Sequence, residues 1–266
     1  MFKIVASDLD GTLLNAEHVV APYTKSVLQR LLQQGEHFVF ATGRHHIDVN
    51  HIRKSVGIPA FIITSNGARI HDNENNLIFS KNVDGLLVSE ITKLAQHDEK
   101  IAIHIFRDND WLVSRAAEGL ENFHKDSGFS YQVFDTKAPP TENIAKIFYI
   151  SDDHEHLVEY ERKLVALYAD SISIAFSTPK CLEIMGAGVS KGAALEIVAK
   201  LKGLSLDECI AFGDGMNDIE MLQAAKKGLV MGNAPQRVKD AVPHIEVIGL
   251  NKDEAVAKYL AANLLK

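Results

Sequence analysis

From residue 4 to about residue 63, short apolar runs alternate with longer stretches in which apolar residues recur at helical spacing. Ile4-Val5-Ala6, Phe38-Val39-Phe40-Ala41 and Phe61-Ile62-Ile63 are too short for helices and show no polar alternation, the pattern of strands buried on both faces. Between them, Val27, Leu28, Leu31 and Leu32 mark one stripe of a helix from about Pro22 to Gln34. Pro22 suits its first turn and Gly35 its end. A second helix is predicted from about His46 to Val56. Strands alternating with helices imply a parallel sheet covered on both faces.

The rhythm changes after residue 69. Arg69 to Lys81 reads as a hairpin turning at Asn73-Glu74-Asn75-Asn76. From about Asp84 to Gly186 the predicted order is helix, strand, strand, repeated three times. The strands are clearest at Ile101–Ile105, Trp111–Arg115, Tyr131–Phe134, Ile147–Ile150 and Ile172–Phe176. This suits an α+β insert with an antiparallel sheet. The first rhythm then resumes: a helix over Lys191–Leu201, a strand at Cys209–Phe212, a helix near Asp218–Ala225 and a strand at Gly228–Met231. A capping box from Ser205 to Glu208 opens a short turn before Cys209. The expected architecture is an α/β, Rossmann-like parallel-sheet core from residues 1–83 and 188–266, interrupted by an α+β domain at 84–187.

A chain of 266 residues, 46% of them hydrophobic, can bury this core without metal or disulfide support. Cys181 and Cys209 are therefore read as reduced thiols, with a disulfide as the alternative. The net charge of −7 argues against non-specific nucleic-acid binding, which depends on excess Lys and Arg. No apolar run reaches the ~18 residues of a membrane span, and the start Met1-Phe2-Lys3-Ile4 lacks the form of a signal peptide. The expectation is a cytoplasmic protein, and no feature points to a protein partner.

Asp8-Leu9-Asp10-Gly11-Thr12 follows the first strand, and ligands bind beyond the carboxyl ends of open α/β sheets. On extended chain, Asp8 and Asp10 can face one site. Two carboxylates so close need a cation, a shared proton or solvent; Mg²⁺, a hard ion taking oxygen ligands, suits them. The competing reading is a solvated turn. A second acidic turn, Gly213-Asp214-Gly215-Met216-Asn217-Asp218, follows Cys209–Phe212 and supplies Asp214, Asn217 and Asp218. Thr42-Gly43-Arg44 ends another strand, with a hydroxyl and a chain able to approach an oxyanion closely. Lys191 opens a helix, where its ammonium and the helix N-terminus attract anions. A surface lysine is the alternative, and Arg44 has the alternative of pairing with a carboxylate.

These four segments, in this order, resemble the motifs of the haloacid dehalogenase superfamily, and the insert between the second and third resembles the C2-type cap of its Cof-type phosphatases. The resemblance spans the whole chain. It implies that Asp8 is a nucleophile forming an aspartyl-phosphate. Asp10 then protonates the leaving group and activates water, for which its pKa should be raised. Mg²⁺ would be held by Asp8, Asp214 and the backbone carbonyl of Asp10, with Asp218 behind them or in occasional direct contact. Thr42, Lys191, Asn217 and the backbone N–H groups of Leu9 and Gly43 would hold the phosphoryl oxygens. Which of Asp8 and Asp10 attacks comes from the resemblance and not from the residues.

The substrate class implied is a small-molecule phosphate ester. Phe40-Ala41-Thr42-Gly43-Arg44-His45-His46, Ile63-Thr64-Ser65-Asn66-Gly67-Ala68-Arg69 and Phe176–Glu183 are similar to Cof-type enzymes that hydrolyse pyridoxal 5′-phosphate and some sugar phosphates. Asn66, Gly67 and Ala68 are expected in a loop near the core site. Arg44, His45 and His46 are candidate substrate contacts, with the start of a solvated helix as the alternative for the histidines. A sugar-phosphate phosphatase, a phosphomutase and a phospho-acceptor signalling domain remain alternatives. The inserted domain and Asp10 speak against the last.

Overall fold

The buried apolar runs form strands and the periodic stretches form helices. The computed structural model describes residues 2–122 and 124–265. In chain order it contains β1 (Ile4–Ser7), a turn at Leu9–Leu13, α1 (Pro22–Gln33), β2 (His37–Ala41), α2 (His46–Val56), β3 (Phe61–Thr64), β4 (Arg69–His71) and β5 (Leu77–Ser80). Next come α3 (Gly85–Ala95), β6 (Ala102–Arg107), β7 (Asp110–Val113), β8 (Tyr131–Val133), β9 (Ile144–Ile150), α4 (His154–Tyr168), β10 (Ile172–Thr178) and β11 (Cys181–Gly186). The chain continues through α5 (Lys191–Leu201), β12 (Cys209–Gly213), α6 (Ile219–Ala224), β13 (Lys227–Val230), α7 (Gln236–Ala241), β14 (Glu246–Val247) and α8 (Ala255–Asn263). It divides into two compact units, Met1–Ile78 with Ser190–Lys266, and Phe79–Val189.

The first sheet has the order β14-β13-β12-β1-β2-β3-β4-β5. From β14 to β3 all pairs are parallel, and β4 runs antiparallel to β3. Successive strand residues point to opposite faces. Val5, Phe38, Phe40, Ile62, Ile210, Phe212 and Leu229 therefore share one core with residues of α1, α2 and α8. Ile4, Ala6, Val39, Ala41, Ile63, Ala211 and Val230 have the opposite parity and are buried as well. On that side α5 and α6 pack against each other, with α5 on β3 and α6 on β12 and β13. Burial on both faces explains the absence of polar alternation in the sequence. Strand order reverses at β1, with β2 on one side and β12 on the other, so the crevice lies beyond the carboxyl ends of these three strands.

The second unit has a sheet in the order β10-β11-β9-β6-β7-β8. Ile103, Ile105, Ile147, Tyr149, Leu182 and Ile184 lie on the face that packs with α3 and α4. Two expectations fail here. The predicted middle helix of the insert is absent among the described residues: Leu120–Asn122 and Lys125–Ser127 form single turns. Gly119 and Gly128, both at positive φ, bracket a segment too short to offset the cost of nucleating a helix. The sheet is also not wholly antiparallel. β8 runs parallel to β7, because the long segment 114–130 carries the chain back to the start of β7. Both cysteines are free thiols. Among the described residues no helix is long and apolar enough to cross a membrane.

Candidate active site

The site grows from the ends of β1 and β12. The Asp8 N–H still donates to Phe212 O at 3.0 Å, so Asp8 leaves the sheet with its backbone fixed. The chain then turns through Leu9–Leu13, and the Leu14 N–H closes the turn on Leu9 O at 2.9 Å. Gly11 sits at φ +75°, where a side chain would run into the carboxylate of Asp214. Its absence lets the two acidic turns touch. Thr12 Oγ1 donates to Asp214 Oδ1 at 2.7 Å across this contact.

Lys191 enters the same space from the first turn of α5, whose cap is Ser190, accepting from the Ala193 N–H at 3.1 Å. The lysine is not on the surface: its exposure is 0%. Its Nζ donates to Asp8 Oδ1 at 2.7 Å and Asp218 Oδ1 at 2.6 Å. These two carboxylates compensate a cation that the positive end of the helix disfavours. Asp218 in turn accepts, through Oδ2, the N–H groups of Asp214 at 2.9 Å and Gly215 at 2.8 Å.

Asp8, Asp214 and Asp218 each offer an oxygen within 4.8 Å of the others. Three carboxylates share one ammonium in a largely buried group, so the second and third negative charges have no matching cation. Burial raises the Asp8 carboxyl well above its ordinary value. Lys191 opposes this, and Asp218, Asp214 and Asp10 add to it. Burial and then Asp218 push Asp214 up to about 7, against the Thr12 hydrogen bond. Burial alone would lower Lys191, but Asp218 and Asp8 outweigh it and raise the ammonium. An all-oxygen donor set carrying excess negative charge fits a hard divalent cation such as Mg²⁺.

The loops after β2 and β3 complete the rim. Thr42 donates its N–H to Ile63 O at 2.9 Å, and its Oγ1 accepts the Arg44 N–H at 3.1 Å around Gly43. Ser65 and Asn66 are both left-handed, at φ 48° and 58°, a conformation that costs non-glycine residues about 1–3 kcal/mol each. They are held by bonds from the Ser65 N–H to Arg44 O and from the Asn66 N–H to Thr42 O, each 3.0 Å. Asn217 Nδ2 donates to Asn66 Oδ1 at 3.0 Å, tying this rim to the Asp214 turn.

Residues 5–260 match the family of haloacid dehalogenase-like hydrolases. The chain belongs to this family. Curated relatives of this hydrolase carry phosphatase names. A Haemophilus influenzae protein provisionally named a phosphatase is 42% identical over 97% of this chain and 96% of its own. A Citrobacter koseri protein named HMP-PP phosphatase is 37% identical over 98% and 95%. Among solved structures, a haloacid dehalogenase-like hydrolase from B. subtilis superposes with a TM-score of 0.88 at 26% identity, covering 99% of this chain and all of the other. The family read from the four motifs is borne out, and the hydrolase is a phosphatase.

In this hydrolase Asp10 departs from what the sequence suggested. Its carboxylate is turned to Arg44, which grips it with Nε at 2.7 Å and Nη2 at 2.6 Å, while His18 Nδ1 stands 3.7 Å from Oδ1. Burial would raise its carboxyl, but the Arg44 hydrogen bonds and charge prevail and hold it below the ordinary value. The expected upward shift is therefore reversed. Its carboxylate is not part of the group formed by Asp8, Asp214 and Asp218, and both its oxygens are taken by Arg44. Arg44 takes its paired alternative. His45 is buried, and its Nδ1 accepts the Ile47 N–H at 3.3 Å as the cap of α2. His46 stacks on His71, with centroids 4.6 Å apart, and also meets His45 at 4.3 Å. The side chains of Thr12, which donates to Asp214, and His18, which faces Asp10, carry no signal in the sequence until the loops meet.

Proposed function

We propose that this enzyme is a Mg²⁺-dependent phosphatase of small phosphate monoesters working through an aspartyl-phosphate on Asp8. The observation that carries the reading is the largely buried group of Asp8, Asp214 and Asp218, with more carboxylates than the one ammonium of Lys191 can match, at the carboxyl ends of β1 and β12. Asp8 and Asp214, with the Asp10 carbonyl, would hold Mg²⁺, and Asp218 lies within reach. When bound, the ion neutralises charge on the phosphoryl group.

The chain's own residues divide the remaining work. Asp8 attacks phosphorus, the ester P–O bond breaks, and the leaving oxygen takes a proton from Asp10. Water then attacks the phosphorus of the aspartyl-phosphate and gives its proton to Asp10, which frees Asp8 and inorganic phosphate. Asp10 must leave Arg44 to act as an acid, since the guanidinium favours its charged form. Lys191 orients Asp8, and with Thr42, Asn217 and the N–H groups of Leu9 and Gly43 it receives the phosphoryl oxygens.

Pyridoxal 5′-phosphate is the proposed substrate, supported by the likeness of residues 40–46, 63–69 and 176–183 to Cof-type enzymes. The relatives named HMP-PP phosphatase bring HMP-PP into the same panel. The test is phosphate release with Mg²⁺ from pyridoxal phosphate, HMP-PP and hexose phosphates, beside Asp8→Asn. Asp8→Asn should be inactive. Wild type matching it on every ester sinks the phosphatase reading. A competitor ester ahead of pyridoxal phosphate by tenfold in kcat/KM, about 1.4 kcal/mol, replaces the substrate alone.

A further inference from the structure

The turn that follows Asp8 is held from outside. Asp10 (φ −74°, ψ 124°) and Gly11 (φ 75°, ψ −1°) both depart from helical geometry, so repeating backbone bonds do not fix the turn. Its peptide planes are free to rotate about a glycine unless something else holds them. Two asparagines from the far end of the chain do so. Asn233, in the loop after β13, donates from Nδ2 to Gly11 O at 2.7 Å. Its Oδ1 accepts the Asn251 N–H at 3.0 Å, and Asn251 Nδ2 donates to Leu14 O at 2.9 Å.

The frame behind them is tied down. Gly232 donates its N–H to Gly249 O at 2.9 Å, and Lys239 Nζ reaches Gly232 O at 2.8 Å. Glu254 Oε2 accepts the Thr24 N–H at 2.9 Å and its Oγ1 at 2.8 Å, joining the segment after Asn251 to the start of α1. Gly11 O, held by Asn233, and Thr12 Oγ1, held by Asp214, flank a single peptide. The preceding peptide carries the Asp10 carbonyl. Asn233 is exposed, and a surface asparagine with no such partner would contribute little.

We propose that Asn233 and Asn251 are positioning residues, a two-asparagine strap holding the turn after Asp8 in the conformation that metal binding and phosphoryl transfer require. The proposal rests on the phosphatase reading above. Neither side chain needs to touch the ester.

The test compares full-length wild type with Asn233→Ala, Asn233→Asp, Asn251→Ala and the double alanine variant. Three quantities are read: kcat and KM for the best ester, the Mg²⁺ binding midpoint by calorimetry without substrate, and Tm. Asn233→Asp keeps the acceptor for Asn251 and loses the donor to Gly11. Both Asn233 variants should lower kcat and weaken Mg²⁺ binding by about 10–100-fold, as lost support behind a metal site does. KM should stay within about twofold if the ester is bound by other groups. Tm should fall by only about 2–4 °C, the scale of one lost hydrogen bond. The double alanine variant should lose less than the product of the singles, because the two amides act on one turn. Wild-type kcat and Mg²⁺ midpoint in both Asn233 variants, or losses that merely follow Tm, overturn the strap. A wild type that binds Mg²⁺ but hydrolyses no ester defeats the phosphatase reading, and the strap is then judged by the calorimetric arm. A wild type that binds no Mg²⁺ overturns both.

Discussion

Each unit buries a lysine against carboxylate, and the two surroundings differ. Lys191, fully buried in the first unit, meets both Asp8 and Asp218 with Asp214 close by. Lys146, 3% exposed in the second unit, meets Glu183 and stands over the rings of Phe106 and Phe148, 4.8 and 4.5 Å from their centroids. Beside that pair, burial and then Glu183 push the Cys181 thiol up to about 12, leaving it inert as a nucleophile. A matched buried pair can often be exchanged for apolar side chains without loss. Carboxylates in excess around one ammonium repel each other until a proton or a further cation arrives, so they are poised to bind one. The first arrangement suits a site, and the second suits a structural contact.

The largest effect expected of this contrast is on stability in the second unit. Lys146→Met should cost about 3–5 kcal/mol by removing the buried cation that faces Glu183, and Lys146→Met with Glu183→Leu should recover most of it. Denaturant titration of both variants measures this. If Lys146→Met abolished turnover with stability intact, the contrast would be reversed. Next in size, Lys191→Met should lower kcat by about 10²–10³-fold, since it removes a preorganised charge at the reacting group. Steady-state kinetics on a folded variant checks this, and near-wild-type kcat would make Lys191 another structural lysine.

The smallest effect concerns acid. Trp111 Nε1 donates to His104 Nδ1 at 3.1 Å. Burial first, then the charges of Lys146, Arg115 and His124, hold this imidazole down at about 3. The unfolded chain, with an ordinary value near 6.5, takes up the proton first. His104 therefore leaves stability undiminished above about pH 6.5 and removes it as pH falls towards 3. At pH 5 the loss is about 2 kcal/mol. His104→Gln should flatten this slope between pH 7 and 5, and an unchanged slope would place the sensitivity elsewhere. His71 in the first unit, lowered to about 4 chiefly by burial, should act with the same sign.

Much of this was legible in the residues. Unbroken apolar runs identified β1, β2, β3 and β12, because a doubly covered strand has no polar face to show. Pro22 and the Ser205–Glu208 capping box marked element starts through local chemistry that survives in any context. The helix expected between β7 and β8 does not form among the described residues, where Gly119 and Gly128 are left-handed, a tertiary outcome that the order of elements does not show. The elements after Met231 were missed: β14 has two residues, and α7 and α8 are short.

The sequence by itself determined which chemistry was present, namely two acidic turns, a Thr-Gly-Arg rim and a helix-opening lysine, each at the end of a core element. Only the tertiary structure decided what each group does. It put Lys191 in the interior between Asp8 and Asp218, turned the Asp10 carboxylate to Arg44, and brought Asn233 to Gly11 across more than 200 residues of chain. The reason is physical. Residue type and local spacing set what a side chain can donate, accept or carry, but its charge state and orientation follow from burial and from partners that meet only when the sheet assembles.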